Sequence, residues 1–286
     1  MIETLLNKTE FKPSDIVLEL AAGTGIATKH ILKKPFAKLY VTDNSKDMLD
    51  QAKHNILDPI SLRTKLTGIE TVEESYFREV FDSRLTKDKE IEFIPADVYI
   101  LSYTYDLMRN FRDMGPHKII LTNALNSLER PIKALGEIYS LLAPHGELLF
   151  NCKLVTNKKT LRDVINNVII EEDMRLDKLN VPHKFFPDNT DILPRYSKEE
   201  IENMLQEAGF IFCCSEEQEI HLDQISAINY LHKARERINA VFDMGSDPTR
   251  KELKNKIDSL FYYNAYYSSI FPSLLKKEGF FVAKKE

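Results

Sequence analysis

The chain has 286 residues, 43% hydrophobic and 29% charged, with a formal net charge of −5. That length suits one large α/β domain with additions, and the acidic balance weighs against the broad basic face that nucleic-acid binding draws on. No apolar run reaches the ~20 residues of a membrane span, the opening Met1–Lys8 lacks a signal-peptide layout, and Cys152, Cys213 and Cys214 are too few for a disulfide framework. We therefore expect a cytoplasmic protein with buried thiols and no metal.

Residues 1–15 read as a short helix and a turn at Lys12–Asp15. A first strand follows over Ile16–Leu20, then a helix over Gly25–Lys33 and a second strand over Lys38–Thr42. A second helix begins near Ser45, with Met48, Leu49 and Ala52 at helical spacing. Strand three is expected over Ile91–Pro95, ending in Ala96-Asp97-Val98, and strand four over His117–Thr122. Pro131 opens a helix as a first-turn residue, with Ile132, Leu135, Ile138 and Leu142 on one stripe. Pro144-His145-Gly146 turns into strand five, Glu147–Asn151. Ser197 and Glu200 form a capping box for a helix carrying Ile201, Met204 and Leu205 and ending at Gly209. Strands are expected over Phe210–Ser215 and Gly279–Lys284. Strands alternating with helices predict a doubly wound, mostly parallel Rossmann-like sheet. Three stretches exceed what the sheet needs, about 56–90, 155–196 and 222–275. They are expected to be helical cap insertions on a single domain spanning 1–286, since long additions commonly form lids or binding loops.

The segment Val17-Leu-Glu-Leu-Ala-Ala-Gly-Thr-Gly-Ile-Ala-Thr28 carries the chemistry. A strand ends in a glycine turn and a helix begins, as in a nucleotide half-site. The dinucleotide spacing G-x-G-x-x-G/A fails in both frames, because position 28 is Thr28 in one and position 26 is Ile26 in the other. What stands there is acid-x-small-x-Gly-x-Gly: Glu19, Ala21, Gly23 and Gly25. A carboxylate at Glu19 repels a pyrophosphate and attracts an ammonium or sulfonium. Glycines let the backbone approach a ligand closely. Asp43 stands about twenty residues past Gly23, where a carboxylate accepts from ribose hydroxyls.

These residues, with Asp97-Val98 and Arg130–Gly146, resemble the class I S-adenosylmethionine-dependent methyltransferases of small-molecule type. The resemblance implies seven strands, the last antiparallel and inserted beside the fifth. It implies S-adenosylmethionine as cofactor, with Ala21, Gly23 and Gly25 at its methionine portion and Glu19 nearby. By the same resemblance Asp43 takes the ribose, Asn44 and Met48 lie near the adenine, and Asp97 and Val98 meet the adenine edge. Thr122-Asn123-Ala124-Leu125-Asn126 follows strand four, and Asn123 is assigned to cofactor contact. Relatives often have an aromatic residue or a histidine near Asn126, so Asn126 and the loop residue His183 are the candidates for a catalytic group. His145, where many relatives have glycine, reads as a turn residue. Methyl transfer is then an in-line displacement that mainly requires alignment and exclusion of water. A small organic acceptor with an apolar part is expected, served by tyrosines such as Tyr103, Tyr105, Tyr196 and Tyr262. An RNA or protein methyltransferase on the same fold, or a non-catalytic S-adenosylmethionine-binding protein, are the alternatives.

Overall fold

The computed structural model describes residues 1–57, 89–112, 114–156, 194–221, 255 and 275–286. The chain divides into two compact units, one of Met1–Lys153, Arg195–Glu217 and Gly279–Glu286, the other of Leu154–Pro194 and Gln218–Glu278. The first addition thus falls within the first unit, and the two later additions make up most of the second.

In chain order the described elements are α1 (Ile2–Leu6), β1 (Ile16–Leu20), α2 (Ile26–Ile31), β2 (Lys38–Asp43), α3 (Lys46–Leu57) and β3 (Glu90–Pro95). After them come α4 (Tyr105–Asn110), β4 (Lys118–Leu121), α5 (Pro131–Leu141), β5 (Glu147–Lys153), α6 (Lys198–Glu207), β6 (Ile211–His221) and β7 (Leu275–Lys284). The seven strands form one sheet in the order β3-β2-β1-β4-β5-β7-β6. β1 to β5 pair in parallel, with Glu19 level with Val41 on one side and Ile120 on the other. β7 runs antiparallel to β5: the Lys285 amide donates to the Gly146 carbonyl, and at the other end Leu154 donates to Lys277. The expected last strand, inserted beside the fifth, is therefore present.

Alternation along the buried strands builds two cores. Val17, Leu39, Val41, Ile120, Leu149, Phe280 and Val282 face one layer, where α1, α2 and α3 contribute Leu5, Leu6, Ile31, Leu49 and Ile56. Their neighbours Leu18, Tyr40, Ile119, Leu148, Phe150 and Phe281 are buried as well. On that side Phe150 stacks on Phe281 with centroids 5.0 Å apart, and Tyr40 meets Phe111 edge-on at 4.8 Å. Burial of both faces fits the near-continuous apolar runs of β1 and β4.

Several expectations shift in detail. Ile132 is exposed, and α5 buries Ala134, Leu135, Ile138 and Leu141 instead. β6 and β7 run longer than their apolar cores suggest. Only Cys152 is buried; Cys213 and Cys214 are exposed on β6. The capping box at Ser197 and Glu200 forms with both bonds, and Gly209 ends α6 at φ +94°. At the amino ends of the strands the buried Lys118 ammonium lies 2.7 Å from Glu147 and 3.0 Å from the Thr9 hydroxyl. Glu147 also pairs with Lys284 at 3.0 Å, so β4, β5, β7 and the N-terminal segment meet at one carboxylate.

Candidate functional site

The carboxyl ends of β1, β2 and β3 are tied together, and the ties define the site. Ala22 donates its amide to the Thr42 carbonyl at 2.9 Å. The Thr42 hydroxyl donates to the Glu19 carbonyl at 2.8 Å. Ala96, just past β3, donates to the Asp43 carbonyl at 3.1 Å. Sheet order alone therefore brings the glycine turn, Asp43 and Asp97 to one edge, where an open α/β sheet binds ligands.

The turn itself is left-handed at three of its residues: Ala21 (φ 51°), Gly23 (φ 56°) and Gly25 (φ 85°). The two glycines have different reasons to lack a side chain. A Cβ on Gly23 meets nothing within 4 Å, so this position borders open space. A Cβ on Gly25 lies 2.9 Å from the Ile56 Cδ1 and 3.3 Å from the Ala52 Cβ. Gly25, the residue that starts α2, is therefore required for close packing on α3. The absent side chain at Gly25 thus serves packing on α3, while Gly23 borders open space. Asn55 of α3 secures the same turn by donating to the Thr24 carbonyl at 3.0 Å.

Asp43 holds the turn and remains able to hold a ligand. Its Oδ2 accepts the Gly23 amide and its Oδ1 accepts the Ser45 amide, both at 2.8 Å. Each carboxylate oxygen has a second lone pair, which suits two ribose hydroxyls. Asn44 is exposed beside it. Met48 is 46% exposed while Leu49, Ala52 and Ile56 are buried, so Met48 lies off the core stripe of α3. Asp97 stabilises its own turn, its Oδ1 accepting the Tyr99 amide at 2.9 Å, and Val98 is half-buried within that turn.

Glu19 lies in β1, one residue short of its carboxyl end. It continues the Val17 face of β1, is fully buried, and accepts the Thr28 hydroxyl on Oε2 at 2.6 Å. Its Oε1 is buried without a hydrogen-bond partner. Burial pushes the carboxyl up to about 8 against the opposing Thr28 hydrogen bond, with Asp43 adding like-charge repulsion. Thr28 was legible only as a failed third glycine; its role as a donor was missed.

Beyond β4, Asn123 is left-handed at φ 53°. Its amide donates to the Asn151 Oδ1 at 3.0 Å, and the Asn151 Nδ2 donates back to the Asn123 Oδ1 at 2.9 Å. Asn126 is buried, with its Nδ2 donating to the Lys153 carbonyl and its Oδ1 accepting the Lys153 amide. Both ends of its carboxamide thus bond the Lys153 backbone at the end of β5. His145 occupies a left-handed turn position (φ 61°), as expected. His183, Tyr262 and most of the three additions lie outside the described residues. Tyr103 and Tyr105 are largely exposed past the Asp97 turn, and Tyr196 is half-buried with its phenol pushed up by burial and by Cys152, Glu200 and Tyr99.

The residues present fit S-adenosylmethionine. Open space borders Gly23, Asp43 has free acceptor capacity, and a buried acid with an unpartnered oxygen lies below the turn. A family model described as a methyltransferase domain matches residues 2–212. No curated protein matches the chain. Among solved structures, a protein of Bacillus halodurans C-125 described as a methyltransferase is 13% identical, with a TM-score of 0.54 over 99% of this chain and 98% of that one. The cyclopropane synthase MmaA2 of Mycobacterium tuberculosis is 12% identical, with a TM-score of 0.50 over 99% and 82%. The [4+2]-cyclase SpnF is 13% identical, with a TM-score of 0.51 over 99% and 80%. At such identities the likeness is one of fold.

Proposed function

The chain belongs to the class I S-adenosylmethionine-dependent methyltransferases, and from that membership we propose that it methylates a small organic acceptor by in-line displacement. The observation that carries the choice of acceptor is the Asn123–Asn151 pair. Enzymes of this class that methylate amino groups of nucleic acids often carry an Asn/Asp-Pro-Pro-aromatic motif after strand four. Here Asn123 is followed by Ala124, and its carboxamide is held by Asn151. The net charge of −5 supports the same choice. The exposed Ile100, Tyr103, Tyr105 and Met108, following the Asp97 turn, favour an acceptor with an apolar part.

When bound, the cofactor supplies a methyl group already activated on a sulfonium. The protein has to bind, orient and exclude water. Asp43 holds the ribose while fixing Gly23, and Ala21, Gly23 and Gly25 line the methionine portion. Asn44 and Met48 flank the adenine, whose edge meets Asp97 and Val98, and Asn123 closes the site from β4. Glu19 acts on the charged end from beneath the turn. His183 remains the candidate base for a hydroxyl acceptor. We place the protein in the cytoplasm; no helix among the described residues is long and apolar enough to cross a membrane.

Incubation with methyl-labelled S-adenosylmethionine and separate metabolite, RNA and protein fractions tests the reading. Label in the metabolite fraction is expected. Label confined to RNA or protein would replace the small-molecule acceptor with the macromolecular one.

A further inference from the structure

Glu19 is the one acid in the described turn region that is both fully buried and incompletely bonded. Its Oε2 has the Thr28 hydroxyl, the Thr28 backbone also favours the charged form, and its Oε1 has no donor. No solvent reaches either oxygen. An ionised carboxylate in that position is costly unless a cation comes near. Of the charged groups on the elements packed around it, Asp43 on β2 acts on it, and does so with the same sign. Lys29 and His30 follow Thr28 on α2, but His30 turns to Glu3 at 3.2 Å, and neither is among the groups that act on Glu19. A Cβ on Gly23 would meet nothing within 4 Å, and the Gly23 amide is held by the same Asp43 that acts on Glu19.

We propose that uptake of S-adenosylmethionine drives Glu19 from carboxylic acid to carboxylate, so that cofactor capture is coupled to release of a proton to solvent. The O–H bond breaks with its electron pair left on Glu19, and the buried anion then faces the ammonium and sulfonium charges. Thr28 is a positioning residue: its hydroxyl favours the ionised form and sets the pH at which the exchange occurs. The inference rests on the cofactor reading above. It adds that the acid of the turn is neutral before the cofactor arrives, as its rise to about 8 also indicates.

Calorimetric titration of S-adenosylmethionine into the full chain, in buffers of different ionisation enthalpy, counts the protons. On the order of one proton released at pH 7 is expected, fading above pH 8. Glu19→Gln keeps the shape and an oxygen for Thr28, and is expected to abolish the release. Should that variant fail to fold, Thr28→Val serves, because losing the donor moves the fading limb to higher pH. Binding whose heat is the same in every buffer overturns the coupling and leaves the cofactor reading standing, as does an unchanged count in Glu19→Gln or an unmoved limb in Thr28→Val. No binding in any buffer overturns the cofactor reading and the coupling with it.

Discussion

Alanine at Gly23 and alanine at Gly25 add the same methyl group two residues apart, and the structure assigns them different consequences. Both glycines are left-handed, which costs a residue with a Cβ roughly 1–2 kcal/mol. For Gly23→Ala the strain ends there, because the added Cβ meets nothing within 4 Å. For Gly25→Ala the Cβ comes within 2.9 Å of the Ile56 Cδ1 and 3.3 Å of the Ala52 Cβ, which is fixed to the α3 backbone. The Ile56 tip can swing away but the α3 backbone cannot, so overpacking adds roughly 1–3 kcal/mol. Urea unfolding should therefore show Gly25→Ala less stable than Gly23→Ala by about the overpacking cost. Titration with S-adenosylhomocysteine should show the larger affinity loss in Gly23→Ala, about tenfold or more, because its methyl stands in the open space. Equal stability of the two variants, or wild-type affinity in Gly23→Ala, refutes the division of roles.

Asp43→Ala should lose both cofactor affinity and stability, about 1.5–3 kcal/mol for a charge-assisted hydrogen bond, since the carboxylate that takes the ribose also holds Gly23 and Ser45; a melting scan beside the titration checks that both fall. Asn126→Ala should lower stability by about 1–3 kcal/mol through loss of its two bonds to the Lys153 backbone, with cofactor affinity kept, as unfolding and titration together would show. A variant as stable as wild type but inactive would place Asn126 in the chemistry. Burial holds His30 below its ordinary value, so the unfolded chain takes up that proton first and stability falls as pH drops through about 6.5. His30→Gln should flatten that part of the stability–pH curve, and an unchanged slope would place the proton elsewhere.

The strands and the turn were legible because each is written in a short stretch of chain. β1 reads as five consecutive apolar or motif residues, and the capping box at Ser197 and Glu200 is local. What escaped depends on partners far along the chain. Nothing near Gly25 says that Ala52 and Ile56 will pack against it. Helical spacing put Met48 beside Leu49 and Ala52, but the choice of buried stripe depends on how α3 settles against the sheet. The Asn123–Asn151 pair and the Asn126–Lys153 clamp exist only because β4 and β5 lie side by side. β6 was read short because Glu216, Glu217, Gln218 and Glu219 follow Ser215 as a polar run, which an edge strand accommodates.

The position of β7 also constrains how the chain is made. It sits between β5 and β6, so two strands synthesised earlier must leave a gap for a later one. Until Phe281 arrives, Phe150 lacks its stacked partner, and Glu147 lacks Lys284. A nascent chain leaving the ribosome with β5 complete therefore presents an unpaired strand edge and a bare aromatic ring, features that invite wrong pairing. Chaperone dependence should thus concentrate in the interval between translation of β5 and of β7. A chain stopped ahead of Phe280 should aggregate even with every proposed cofactor residue in place.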